Sequence, residues 1–164
     1  GWFHTGDIGV FVDHRYLKIT DRKKEIFKTS GGKYIAPQAI ENKFKESPFI
    51  EQIMVVGENE RFPAAIIVPA FPHLTKWAQH KGISFTGNDD LIKKAEVNDK
   101  ISREVASLNQ VFGQAEQIKK FELVPREWTI DGGELTATLK LRRKIIAERH
   151  KDLIEKMYQE KVSA

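Results

Sequence analysis

Two apolar runs in the first half of the chain constrain the fold more than any other feature. They read "IEQIMVVG" over residues 50–57 and "PAAIIVPA" over residues 63–70, and only "ENERF" separates them. Both runs are rich in residues that favour strands, and a connection this short is typical of antiparallel neighbours. The sequence therefore predicts a β-hairpin over residues 50–70.

Amphipathic helices are predicted in four segments, because apolar residues recur there every three or four positions. Pro37 and Pro72 suit the first turn of two of these helices, Gly82 suits the end of the second, and Asn88 or Asp89 suits the start of the third. The four segments are "APQAIENKFKES", "FPHLTKWAQHKG", "NDDLIKKAEVNDKISREVASLNQ" and "RRKIIAERHKDLIEKMYQE".

The remaining strand signals are shorter. A hairpin is predicted over Gly9–Thr20, and single strands are predicted at "EIFK" and "KKFELVP". Helices and strands mix without strict alternation, which is typical of the α+β class. We therefore predict an α+β fold with a small mixed sheet and hairpins, flanked by about three or four helices.

Composition excludes several classes of protein. Of the 164 residues 40% are apolar and none is cysteine, which excludes disulfides and thiolate metal sites and fits a cytoplasmic protein. No apolar run approaches the roughly 20 residues of a membrane-spanning helix. The chain begins with Gly instead of Met, and we expect it to be part of a longer protein.

The net charge is +4, and the excess is concentrated in the C-terminal segment that contains Arg142, Arg143 and Lys144. A basic surface can bind nucleic acid, the surface of a membrane or an anionic small molecule. The same run could also be an ordinary solvated helix face. Charge alone leaves these readings open.

A Gly-Gly-Lys sequence stands inside the basic segment "DRKKEIFKTSGGKYIAPQAIE" at residues 21–41. It is not a phosphate-binding P-loop, because Tyr34 follows Lys33 where Ser or Thr is required and no Gly lies five places before Gly32. Considered alone, it is more typical of a surface turn.

Two further segments carry candidate site residues. In "WFHTGDIG", Asp7 could accept hydrogen bonds from both hydroxyls of a ribose, or it could merely close an Asx-turn. In "GGELTATLKLRRK", Lys140 follows a Gly-rich loop and could reach phosphate oxygens, or it could be a surface lysine. The five histidines show no metal-ligand spacing, and we predict no metal ligands in this chain.

Together, these three segments resemble the C-terminal part of the acyl-adenylate-forming enzymes, the superfamily of acyl-CoA synthetases, adenylation domains and luciferases. "GWFHTGDIG" resembles the Trp-(Phe/Tyr)-x-Thr-Gly-Asp motif, and the segment at 21–41 resembles the hinge motif that ends in Ile/Leu-Glu. "GGELTATLKLRRK" resembles the C-terminal lysine motif in the form "ELT-x-T-(Leu/Met)-K" of long-chain fatty-acid CoA ligases. The resemblance covers essentially the whole chain.

The resemblance implies a role for each motif in the first half-reaction, in which ATP and a fatty acid form acyl-AMP. Asp7 would hold the ribose hydroxyls, Arg22 would contact the ribose and phosphates, and Lys140 would bind the carboxylate and the α-phosphate. Residues 1–23 would end the large N-terminal AMP-binding domain, and residues 24–164 would form the mobile C-terminal domain.

The resemblance also implies that the small domain rotates between two half-reactions. Lys24 would be the hinge, and Lys28, Gly31 and Lys33 would face the entering CoA after rotation. Two features depart from the usual pattern: Lys24 stands where many relatives have Asp, and Leu139 stands where many have Gly. A hinge needs backbone freedom, and two successive anionic ligands need cations, which accounts for the basic, glycine-containing segment.

The implied parent protein is a ligase that uses ATP, CoA and Mg²⁺, with the missing N-terminal domain as partner and the fragment inactive alone. Peripheral membrane contact is compatible with the basic surface, and nucleic acid is not expected. Two alternatives stay open: a carrier protein's phosphopantetheine as the acceptor instead of CoA, and a basic nucleic-acid-binding module. Against that module, Trp77, Phe121 and Trp128 fall in core-like patterns away from the basic clusters.

Overall fold

The structure is a computed structural model that describes residues 5–22 and 25–159. Seven strands and six helices are present in these ranges. In chain order they are β1 (Asp7–Val12), β2 (Tyr16–Arg22), β3 (Phe27–Lys28), β4 (Tyr34–Ile35), α1 (Pro37–Phe44), β5 (Ile50–Val56), β6 (Ala64–Pro69), α2 (Phe71–His80), α3 (Asn88–Leu91), α4 (Ala95–Asn109), β7 (Lys120–Leu123), α5 (Arg143–Arg149) and α6 (Lys151–Gln159).

A three-stranded mixed sheet organises the fold. β5 and β6 pair antiparallel with Ile53 opposite Ile67, and β7 joins the other edge of β6 in parallel. The turn between β5 and β6 is tight at Gly57, whose φ is +144° and whose Cβ would lie 3.0 Å from the carbonyl oxygen of Phe62. The predicted hairpin over residues 50–70, the small mixed sheet and the α+β class are confirmed.

The central strand β6 is buried along its whole length. Successive side chains of a strand point to opposite faces, so both faces of the sheet are covered. α1 packs on β5, α4 lies beside α1, and α6 packs on β7. All six helices contribute side chains to one core. Its largest fully buried side chains are Ile35, Ile40, Phe44, Ile53, Met54, Ile66, Ile67, Leu74, Leu91, Ile101, Ile146 and Met157.

The first two predicted helices are confirmed as α1 and α2, each with its proline in the first turn. The third predicted helix is divided into α3 and α4, so Asn88 begins a short helix and Lys94 caps the long one. Leu91 and Val97 are both buried, yet six positions put them about 120° apart on a continuous helix. The break turns both side chains toward the core.

The last predicted helix is also divided, because His150 leaves the helical conformation between α5 and α6. Its imidazole Nε2 accepts a hydrogen bond from the indole N–H of the buried Trp128, at 3.4 Å. Four predicted helical segments thus become six helices. None of the helices in residues 5–22 and 25–159 combines the length and the hydrophobicity of a membrane span.

The strands β1 and β2 form a separate antiparallel hairpin, as predicted for Gly9–Thr20. Several of its apolar side chains are exposed, including Phe11 at 73%, Tyr16 at 64% and Leu17 at 60%. β2 lies beside α1, where Lys18 and Ile19 line a groove with residues of that helix. The hairpin therefore adds little of its apolar surface to the core.

Candidate functional site

The Gly-Gly-Lys sequence forms the loop of the β3–β4 hairpin. The Thr29 N–H donates to the Lys33 carbonyl at 2.9 Å, and the Gly32 N–H donates to the Thr29 carbonyl at 2.9 Å. The Thr29 hydroxyl oxygen accepts from the Lys33 N–H at 3.3 Å. The loop is held against the β5–β6 turn by the Ser30 N–H, which donates to the Glu60 carbonyl at 2.9 Å. It is thus an ordered hairpin loop of three residues, which presents Lys33 at its end.

The two glycines of this loop differ in what the structure requires of them. Gly32 has φ +79°, a left-handed conformation that favours glycine. Gly31 has no such φ, and a Cβ built on it would meet only the Thr29 hydroxyl oxygen, at 4.0 Å. Within the described residues, local geometry therefore explains Gly32 but leaves Gly31 unexplained.

The Lys140 loop repeats the same hairpin geometry. The Thr136 N–H donates to the Lys140 carbonyl at 2.9 Å, and the Leu139 N–H donates to the Thr136 carbonyl at 2.9 Å. The Thr136 hydroxyl oxygen accepts from the Lys140 N–H at 3.1 Å. A bridge between Leu135 and Leu141 closes the base of the loop. Lys140 is exposed at the end of this loop.

Leu139 adopts φ +60°, in the left-handed region. The three-residue hairpin loop requires this conformation at its third position, which glycine normally occupies. Glycine adopts this conformation without strain. Leu139 instead accepts a backbone penalty, and its side chain is 68% exposed.

The base of the Lys140 loop is fixed to α5. The carboxylate of Glu134 accepts a hydrogen bond from the Arg149 guanidinium, and its other oxygen lies 3.3 Å from the Thr129 N–H, which donates to it. The Glu134 carbonyl accepts from the Arg142 N–H at 2.7 Å. These contacts hold both strands of the loop's base, so the loop projects from a rigid support.

A buried ion pair connects the same support to α1. Nη1 and Nη2 of Arg143 each donate to one oxygen of the Glu41 carboxylate, both at 2.7 Å. Glu41 Oε1 also accepts from the Val55 N–H at 2.8 Å, which satisfies an edge group of β5. Burial raises the pKa of Glu41 above its ordinary value, although the hydrogen bonds and charge of Arg143 oppose that shift.

Glu25, Glu41 and Arg143 lie beside Lys140 in a cavity of about 150 Å³. Arg143 Nη2 also lies 3.4 Å from Glu25 Oε2, so Arg143 contacts both carboxylates. Glu25 is the first described residue after Lys24. The structure therefore brings the lysine motif together with the end of the hinge motif, although the two are far apart in sequence.

Asp7 and Arg22, the predicted nucleotide-binding residues, are opposite each other in the β1–β2 ladder. Asp7 is exposed, and its N–H donates to the Thr5 hydroxyl at 3.3 Å.

The Lys28 ammonium lies 5.5 Å from the centre of the Tyr34 ring. Lys24, the predicted hinge, lies outside the described residues. The roles of Asp7, Arg22, Lys24, Lys28, Gly31, Lys33 and Lys140 remain predictions.

Sequence reasoning missed the structural roles of Glu41 and Arg143. Arg143 belongs to a basic run that the sequence allows to be a solvated helix face, but it is half-buried, whereas its neighbours Arg142 and Lys144 are exposed. A glutamate between Ile40 and Phe44, the inward residues of α1, was the one signal for a buried acid.

The described residues contain no group of three His, Cys, Asp or Glu side chains that could hold a metal ion.

The aromatic residues that bear on the nucleic-acid alternative lie in or against the core. Trp128 is 3% exposed, and Trp77 and Phe121 pack against the buried cluster. Single-stranded nucleic acid needs exposed aromatic faces beside basic groups. These three rings do not offer such faces.

Residues 24–162 match the family described as "AMP-binding enzyme C-terminal domain". The chain is 37% identical over 159 residues to the long-chain-fatty-acid–CoA ligase FadD15 of Mycobacterium tuberculosis, and the match covers 96% of this chain and 26% of that protein. It is 39% identical over 162 residues to long-chain-fatty-acid–CoA ligase 1 of Homo sapiens, covering 96% of this chain and 23% of that protein. The chain thus spans about a quarter of the length of these relatives.

Solved structures show the same fold. The adenylation domain of a carboxylate reductase from Mycobacterium chelonae superposes with a TM-score of 0.73 at 24% identity, covering 96% of this chain and 23% of that one. A fatty acyl CoA synthetase of Mycobacterium tuberculosis superposes with a TM-score of 0.56 at 22% identity, covering 93% and 25%. At these identities the likeness is one of fold.

Proposed function

Because the chain belongs to the family of AMP-binding enzyme C-terminal domains, we propose that it is the mobile C-terminal domain of a long-chain fatty-acid–CoA ligase. The family match begins at residue 24, which supports a domain boundary at the hinge motif. Two relatives named long-chain-fatty-acid–CoA ligases, from a bacterium and from human, support the substrate class. The partners are the N-terminal domain of the same protein, a fatty acid, ATP and CoA.

The proposed reaction has two steps. In the first, a carboxylate oxygen of the fatty acid attacks the α-phosphorus of ATP, and pyrophosphate leaves. In the second, the CoA thiol attacks the acyl carbonyl of acyl-AMP, loses its proton, and AMP leaves. Mg²⁺ is proposed to accompany ATP, but the described residues of this chain offer it no acidic cluster, and we assign none of them to it.

Lys140 would act in the first step, by placing its ammonium against the carboxylate and the α-phosphate where negative charge increases in the transition state. The single observation that carries this role is its exposed position at the end of a loop whose base is fixed by the Glu134–Arg149 and Glu41–Arg143 pairs. Asp7 would accept the ribose hydroxyls, and Arg22, its partner in the ladder, would contact the ribose and phosphates.

The Gly31 loop would act in the second step, after the domain has rotated about Lys24. Gly31 supports this proposal, because nothing in its local geometry requires glycine, whereas a ligand or a second domain approaching from outside would. Lys28 and Lys33 would supply positive charge to the CoA phosphates. The predicted cytoplasmic location and peripheral membrane contact remain part of the proposal.

The experiment compares the half-reactions in the full-length enzyme with Lys140→Ala. We expect acyl-AMP formation to fall by roughly 10²–10³, the usual cost of removing one electrostatic contact to a transition state, and thioester formation from supplied acyl-AMP to be preserved. Lys93→Ala, at an exposed lysine between α3 and α4, is the matched control and should leave both rates unchanged. Equal damage to both half-reactions by Lys140→Ala would contradict the proposal.

The phosphopantetheine of a carrier protein is the alternative acceptor that the sequence leaves open. Rates of transfer from acyl-AMP to CoA and to a phosphopantetheinylated carrier protein distinguish these acceptors, and we expect CoA to be preferred because the relatives at 37–39% identity are named as CoA ligases.

A further inference from the structure

Two hairpin loops, far apart in the sequence, share three hydrogen bonds between a Thr and the residues up to a Lys. In each loop the Thr N–H donates to the Lys carbonyl at 2.9 Å, and the N–H just before the Lys donates to the Thr carbonyl at 2.9 Å. In each, the Thr hydroxyl oxygen accepts from the Lys N–H, at 3.3 Å for Thr29–Lys33 and 3.1 Å for Thr136–Lys140. The residue before the Lys is left-handed in both.

The three residues between each Thr and Lys have no residue in common by position, since they read "SGG" in one loop and "ATL" in the other. The hairpin type itself requires a left-handed third residue, but it requires neither a hydroxyl at the first position nor a lysine at the last. The shared Thr and Lys are therefore not explained by loop geometry alone.

The Thr hydroxyl helps to fix the position of each lysine's backbone. One residue, the Thr, contacts both the N–H and the carbonyl of the lysine, so the lysine Cα is anchored from both sides. A lysine ammonium lies at the end of four rotatable carbons, and its placement depends on how firmly that Cα is held. Functional side chains must be held within about 0.5 Å of the productive geometry.

We propose that Thr29 and Thr136 are matched positioning residues, each of which holds the lysine of one half-reaction. Thr136 fixes Lys140 for the formation of acyl-AMP, and Thr29 fixes Lys33 for the transfer to CoA. This inference rests on the proposed function, and it adds that the same local device serves both steps.

The test uses Thr136→Val and Thr29→Val in the full-length enzyme. Valine keeps the shape of threonine and removes the hydroxyl. We expect Thr136→Val to lower acyl-AMP formation by roughly tenfold, less than loss of the lysine itself, with thioester formation from supplied acyl-AMP unchanged. Thr29→Val should show the reverse, so each variant is the matched control for the other. Thr136→Ser and Thr29→Ser, which restore the hydroxyl, should recover the parent rates.

A purely structural role would produce a different result. General destabilisation would lower both half-reactions together and leave the ratio between them unchanged. Equal losses in both steps, or no loss in either, would overturn the inference while Lys140→Ala still separated the two steps. If the unsubstituted enzyme formed no acyl-AMP, the proposed function and this inference would both fail.

Discussion

Leu139 shows how a single residue carries a conformational cost beside a candidate catalytic group. Its φ is +60°, and for residues other than glycine a left-handed conformation costs about 1–2 kcal/mol. The cost persists because hydrogen bonds across the loop and the fixed base impose this geometry. In exchange, the loop keeps Lys140 at its exposed end with its backbone bonded to Thr136.

This geometry predicts an inverted order of stability for two substitutions at one position. At Leu139 we expect the Gly variant to be more stable than the Ala variant by about 1 kcal/mol, because alanine bears the left-handed penalty and glycine does not. Ile130 is the matched control, since it is a partly exposed loop residue without a left-handed φ in the described structure. At position 130 the Ala variant should be more stable than the Gly variant by about 0.4–1 kcal/mol.

Urea denaturation of the four variants, with common slopes, measures both differences. An alanine variant at Leu139 that is as stable as its glycine counterpart would show that the loop does not hold its left-handed conformation in solution.

Among the helices and strands, the Glu41–Arg143 pair joins α1 to α5 and satisfies the Val55 N–H of β5. Both residues lie within segments that resemble family motifs. The pair nevertheless has a structural role, because Glu41 is 3% exposed and contacts the backbone of Val55. Removing one partner of such a pair leaves an uncompensated buried charge, which typically costs about 3–5 kcal/mol. The pair therefore anchors the first residue of α5, which follows the Lys140 loop, to α1.

We expect Arg143→Met to destabilise the chain by roughly 3–5 kcal/mol near neutral pH. The double variant Glu41→Gln with Arg143→Met should recover most of that loss, because no charge is left buried and the amide oxygen still accepts from the Val55 N–H. Free energies of unfolding from urea titrations provide the measurement. A double variant less stable than Arg143→Met would show that the pair contributes more than the relief of an unpaired charge.

The Glu41–Arg143 pair also predicts how the stability of the chain changes with pH. Burial raises the folded-state pKa of Glu41, so the stability that its carboxyl contributes is present at low pH and is lost as the pH rises through that pKa. Without Arg143 the pKa rises further, since the opposing hydrogen bonds and charge are gone. The loss of unfolding free energy in Arg143→Met should therefore be smaller at about pH 4.5 than at about pH 7.5.

At the scale of the whole molecule, the β1–β2 hairpin and the core domain are connected through Lys23 and Lys24, outside the described residues. The hairpin exposes Val10, Phe11, Tyr16, Leu17 and Ile19, each at 50% or more. Under the proposed function, the rest of the N-terminal domain covers part of this surface, and residues 24–164 turn relative to it. Lys24 is then required for its backbone freedom and not for its ammonium.

The hinge proposal predicts different outcomes for two substitutions in the full-length enzyme. Lys24→Ala should leave both half-reactions largely intact, because alanine has access to the same φ and ψ. Lys24→Pro fixes its own φ near −65° and restricts Lys23, so it should hinder rotation. We expect thioester formation to fall roughly tenfold or more, and adenylation, which precedes rotation, to fall less. Parent rates for both steps in Lys24→Pro would place the pivot elsewhere.

Local patterns along the chain were enough to predict most elements and the three motifs. Apolar runs and short connections predicted both hairpins, and prolines with periodic apolar residues predicted α1 and α2, because these signals act over a few residues. The order of the three motifs was sufficient to indicate the family. Local pattern did not reveal the breaks at residues 92–94 and at His150, because each break depends on which side chains the distant core can accommodate.

The contacts between the motifs depend on how distant segments pack. Glu41 and Arg143 form two hydrogen bonds across a long stretch of chain, and no periodicity in either segment indicates a partner so remote. Likewise, the left-handed φ of Leu139 follows from hydrogen bonds that close the loop, since leucine has no preference for that conformation. A residue's chemistry is written in the sequence, but its burial, partner and backbone angle are set by the packing of segments that meet only when the chain is folded.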